Sequence, residues 1–178
     1  MTIVEVAGHG LVAFGDGDHA AKYSATEWLR SSHPAAGMSS SPARMHVEVL
    51  RRFGGIAPRA LIGAQFIPGR GTRTQINVGV AAFGLFDADG QPTCPGVLWN
   101  QPFTIGLPDE FAQAAAGALG EGPALPAGTL TVDRAGFDLI NSSEMIFEQA
   151  AAALKTVLAA RLSGQDAETA ARTLVSTW

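Results

Sequence analysis

The stretch Asn141-Ser142-Ser143-Glu144, with the apolar ladder behind it, constrains this chain most. Asn141 can accept a backbone N–H at a helix N-terminus. Glu144, three residues on, can reach back to close a capping-box-like pair. Phe147, Ala151, Leu154, Leu158 and Leu162 then recur at steps of three and four. That spacing makes one apolar face of a helix about five turns long. Immediately before it, Thr129 to Asp133 alternates as a strand does. The region therefore reads strand, short loop, capped amphipathic helix.

Upstream, Ile3–Val6 and Leu11–Phe14 are short apolar runs split by Gly8-His9-Gly10, the pattern of a β-hairpin. Gly15 to Asp18 is a second turn, too short for an EF-hand loop and without its distal Glu. Ala20, Tyr23, Glu27 and Leu29 permit a helix between His19 and Arg30, with Trp28 closing its apolar side. His33 to Pro42, rich in Pro, Ser, Ala and Gly, reads as a linker or mobile loop. Met45–Arg52, Ala60–Phe66 and Thr74–Phe83 alternate as strands. Asp87 to Gly90 is a turn, and Val97–Phe103 is a further strand candidate. Pro108-Asp109-Glu110 opens a helix, since proline suits the first turn and acids suit the positive end of the dipole. Phe111, Ala115 and Ala118 or Leu119 supply its apolar side, and Gly120 to Pro123 stops it. Ser163-Gly164 breaks the long helix, and Asp166 caps a short final one. Strands first, then strand–helix–strand–helix, is the order of an α+β two-layer sandwich. Its helices cover one face of a mainly antiparallel sheet.

A chain of 178 residues suffices for one domain with a sizeable core and an N-terminal elaboration. Its 47% hydrophobic and 16% charged residues are those of a globular protein. A net charge of −4 argues against bulk electrostatic attachment to nucleic acid, while leaving room for a local basic patch. The single cysteine, Cys94, excludes an internal disulfide and a Cys-rich metal site. A reducing, cytoplasmic location fits that best. There is neither an apolar run of about 18 residues for a membrane span nor the basic and apolar pattern of a signal peptide.

Two segments together resemble domain IV of translation elongation factor G, which has the ribosomal protein S5 domain 2-like fold. Gly69-Arg70-Gly71 is followed by the alternating strand Gln75 to Val80. Pro108 leads a helix, Gly122-Pro123 breaks it, and the strand 129–133 precedes Asn141-Ser142-Ser143-Glu144-Met145. The resemblance covers about residues 45–160. It implies an S5 domain 2-like sandwich over 45–178, with residues 1–44 as a hairpin and loop extension packed on it. It also implies a ribosome, RNA or protein partner. Two features depart from the family. No Gly-x-x-x-x-Gly-Lys-Ser/Thr phosphate loop occurs, so GTP hydrolysis is not expected. Asp138 stands where the family's tip loop usually carries a His.

Arg59, Arg70 and Arg73 bracket two expected strands and are candidates for a common tip. There, arginine forks would hold phosphate or carboxylate. Asp138 joins them as a candidate binding residue, and the alternative for the three arginines is a solvated loop. Asp133 and Asp138 flank a loop and offer a carboxylate pair for acid–base work, although a polar turn explains them as well. Ser142 and Ser143 are accounted for by helix capping, and no Gly-x-Ser-x-Gly elbow supports a hydrolase. His9, His19, His33 and His46 show no metal-site spacing. Cys94 has no basic neighbour to activate it. Trp99 and Phe103 read as core, or as pocket lining if their strand is exposed on one face. No catalytic motif is recognisable and no metal or cofactor is implied. Two functions follow. One is a free-standing domain IV-like binding module without GTPase activity. The other is a small-molecule binder or enzyme built on the same fold.

Overall fold

The computed structural model describes every residue except Ser39, Ser40, Phe53 and Gly54. Seven strands form the main sheet: β1 (Thr2–Val6), β2 (Gly10–Asp16), β3 (Ala25–Pro34), β4 (Ala43–Leu50), β5 (Arg59–Pro68), β6 (Arg73–Ala81) and β9 (Gly128–Phe137). They lie in the order β1-β2-β4-β5-β9-β6-β3. Among the described strands only β6 and β9 pair in parallel, with α1 (Asp109–Gly120) between them in sequence. The short strands β7 (Thr93–Cys94) and β8 (Phe103–Ile105) pair with each other, and β8 pairs with β9. A parallel pair requires a crossover, and α1 supplies it. The helices α2 (Glu144–Leu162) and α3 (Ala167–Val175) close the chain.

Alternation on the strands gives the helices something to cover. Val47 and Val49 on β4, Ala60, Ile62 and Phe66 on β5, and Ile76 and Val78 on β6 are buried in one cluster with the helices. There α1 lies against β3 and β6, α2 against β4 and β5, and α3 against β1 and β2. Phe111 of α1 stacks on Phe147 of α2, centroids 4.8 Å apart. Burying a ring of this size is worth about 3 kcal/mol. The α2 ladder is buried as its spacing requires, and Ile146, Ala150, Ala153 and Val157 are buried as well. α2 sits between two helices and the sheet, so more than one stripe is enclosed.

Several local expectations are corrected. Residues 25–34 form the edge strand β3, not part of a helix. His33 and Pro34 belong to that strand, so the loop expected over 33–42 is shorter, and its Ser39 and Ser40 lie outside the described residues. Val97–Pro102 is irregular, and only Phe103–Ile105 is strand. β9 runs on to Phe137 because a bulge at Asp133 inserts one residue between the pairs Ala64–Val132 and Gly63–Arg134. Leu130 and Val132 face the helices before it, Ala135 and Phe137 after it. A single extra residue flips the alternation in this way. Asp133 therefore sits inside a strand and does not flank a loop with Asp138. The cap of α2 is Ser143, whose Oγ accepts the Ile146 amide at 3.4 Å, not Asn141. Asp166 caps α3, accepting from the Glu168 and Thr169 amides.

Candidate functional site

The three arginines of the expected tip fall at opposite ends of β5. That strand has ten residues, roughly 30 Å at about 3.3 Å per residue. Arg59 opens it, whereas Arg70 and Arg73 follow its other end. They do not share a tip.

At the first end, Arg59 is fully buried. Its Nη1 and Nη2 donate to the Gln101 and Pro102 carbonyls at 2.8 and 2.6 Å. Its Nε stands 3.1 Å from Asp138 Oδ2, an ion pair in which the N–H is poorly aligned. The guanidinium lies over the Phe103 ring, 3.9 Å from its centroid. Burial alone would raise the Asp138 pKa. The Ile140 amide, the Asn141 side chain and amide, and the Arg59 charge together bring it below its ordinary value. Nearby, the buried Glu48 accepts the Val97 and Leu98 amides at 2.5 and 3.1 Å. Burial raises its pKa, against those two bonds and Arg59. A Cβ at Gly96 would lie 2.9 Å from Glu48 Oε1, so only glycine lets the loop press this close. Arg59 and Glu48 are thus anchors that tie the 95–102 loop onto the second face of the sheet. Ser142 is consumed too, donating to the Arg59 carbonyl at 2.7 Å. Cys94 is buried, and burial pushes its thiol up to about 11.

At the other end, Gly69 packs against Gly128. A Cβ on Gly69 would come within 3.1 Å of the Gly128 Cα, so the close approach of two backbones selects glycine there. Gly71 takes a positive φ of 122° and turns the chain back. Arg70, between them, is exposed and makes no hydrogen bond or ion pair with any described residue. Arg73 is exposed but partly engaged, donating from Nε and Nη2 to the Ser32 hydroxyl and carbonyl, both at 2.7 Å.

On the helix-facing side of that same end lies a cavity of about 230 Å³. It is lined by His33 and Pro34 of β3, Thr74 and Ile76 of β6, the 120–125 turn and Lys155 of α2. Lys155 is 4% exposed and donates to the Leu119 and Glu121 carbonyls at 2.8 and 2.6 Å. These are the last carbonyls of α1, which a cation suits. Burial lowers the Lys155 pKa and the Glu121 charge opposes that. Lys155 matches no motif, yet it is a lone charge in its sequence context. It stands in an otherwise apolar run from Ala150 to Leu154 and Val157 to Ala160.

A third cluster spans the open face of the sheet. His46, Gly63 and Arg134 are register neighbours on β4, β5 and β9, with Gly15 beside His46 on β2. The His19 ring lies 4.8 Å from that of His46. Asp18 bridges Arg44 and Arg134 at 2.5 and 2.7 Å, and Asp133 also pairs with Arg134. Among the described residues no group of three His, Cys, Asp or Glu is arranged to hold a metal. No helix there is long and apolar enough to cross a membrane.

No family model, curated protein or solved structure matches this chain.

Proposed function

We propose that the chain is a free-standing binding module on the S5 domain 2-like plan, touching an RNA backbone through the Arg70–Arg73 loop. Support for the plan is the run β4-β5-β6-α1-β9-α2, with β9 inserted between β5 and β6 and parallel to β6. The observation that carries the contact is Arg70, exposed at a glycine-framed turn with its guanidinium unspent. Arg59 and Asp138 are not part of the contact surface, because each already holds the other inside the fold. Phosphate contacts position a protein without reading sequence. Two of them give a log–log salt slope of only about −1.4 on single strands. Binding is therefore weak, salt-sensitive and sequence-blind.

The test is Arg70→Ala, Arg73→Ala titrated against ribosomes and a generic single-stranded RNA at two salt concentrations. Loss of affinity, with a flatter salt slope, supports the module. Unchanged affinity, or no wild-type binding at low salt, removes RNA as the partner. A second reading, a small-molecule binder, is favoured by the cavity around Lys155.

A further inference from the structure

We propose that the cavity between β3, β6 and the end of α1 binds a compact oxyanion, a small carboxylate or phosphate, held by the Lys155 ammonium. This inference develops the small-molecule reading and is independent of RNA contact. A lysine ammonium carries three N–H groups. Two are accepted by the Leu119 and Glu121 carbonyls, and the third has no acceptor among the described residues. A surface lysine would cap the same carbonyls while keeping its hydration. Lys155 instead gives up nearly all of its exposure and still lines an open space. Burying a charge is costly unless it is paired, and an anion in that space supplies the pairing.

The walls add donors. His33 stands opposite Thr74 in the β3–β6 register and lines the cavity. Its Nε2 lies 2.9 Å from the Ser31 hydroxyl, which leaves the other ring nitrogen unspent. Thr74 gives its proton to the Leu125 and Pro126 carbonyls, which fixes the far wall rather than the ligand. The amides of Gly122 and Ala124 have no backbone acceptor among the described residues. Size narrows the class. The cavity holds about 230 Å³. It lies below the span of roughly 300–1,000 Å³ typical for drug-sized ligands. That volume suits a small organic acid or a phosphate. Arg73 alternates to the opposite face of β6 from Thr74, so the arginine loop is a separate feature.

The experiment is ¹H–¹⁵N NMR of the full chain with succinate, inorganic phosphate and the neutral succinamide, at constant ionic strength. Saturable shifts with succinate, phosphate or both, confined to residues 33, 74–76, 120–122, 124–125 and 155, are expected. Saturation by one anion alone names its class. Lys155→Met is expected to weaken binding at least tenfold. Should that variant fail to fold, His33→Ala on the cavity wall, expected to weaken binding severalfold, decides instead. The proposal is overturned by shifts that do not saturate, by equal shifts with succinamide, or by affinities unchanged in the folded variants. Shifts abolished by Arg70→Ala, Arg73→Ala would also overturn it, because the anion would then sit on the arginine loop.

Discussion

Acid is expected to loosen this fold through His46. Its ring is 6% exposed and packs over Gly15, where a Cβ would come within 3.1 Å of it. Neither ring nitrogen has a hydrogen-bond partner among the described residues. Burial chiefly, then the charges of His19 and the chain's amino group, lower its pKa from 6.5 to about 4. Asp16 and the Gly17 backbone act the other way. Arg134 acts on His19, whose own pKa is lowered first by burial and then by that charge. Between pH 6.5 and about 4 the unfolded chain therefore holds a proton that the folded chain refuses. Stability rises with pH wherever the unfolded state binds more protons. The contribution is complete above 6.5 and is lost as the pH falls to about 4. That gap, at about 1.36 kcal/mol for each tenfold step in the proton equilibrium, is worth at most about 3 kcal/mol.

The assay is urea unfolding of the wild type and His46→Leu in steps from about pH 4 to 8, with the difference in stability plotted against pH. Leucine is of similar size and does not titrate, so the difference removes the groups that do not interact with His46. One of those, Glu48, has a raised pKa and works the opposite way, its stability lost as pH rises. The wild type should fall relative to the variant by about 2–3 kcal/mol on going from neutral pH to about 4. Parallel curves, or a relative loss on the alkaline side, would refute the assignment of buried neutral His46.

Asp138→Ala leaves the Arg59 charge buried without its carboxylate. It should cost about 3–5 kcal/mol in urea unfolding, and a cost below about 1 kcal/mol would contradict the buried pair. Glu48→Ala strips the Val97 and Leu98 amides of their acceptor. It should cost about 2–4 kcal/mol, and those two amides should exchange with solvent faster than in the wild type. Unchanged exchange would show that the loop holds without Glu48.

What the sequence made legible, and what it hid, follows from where periodicity survives. α1 is readable because it buries one side over several turns, α2 because its apolar ladder keeps helical spacing although more than one stripe is enclosed, and β4, β5 and β6 because each turns alternate residues to the helices. β3 carries no such code. It is an edge strand, partly exposed on both faces, whose Tyr23 approach is fixed by a hydroxyl donated to the Gly79 carbonyl. In the sequence β9 reads only to Asp133, because the bulge breaks its alternation there. Residues 97–103 read as a strand in sequence because Val97 and Trp99 are apolar. Their backbone instead answers to Glu48 and Arg59, charges forty or more positions away in sequence. Long-range pairing of this kind also explains the candidate sites. Arg59 and Arg70 are near in sequence and far in space because a full strand separates them. His46 and Arg134 are far in sequence and flank the same glycine because β5 lies between their strands. Lys155 acquires its meaning only when α1 ends beside it, which no spacing within α2 can reveal.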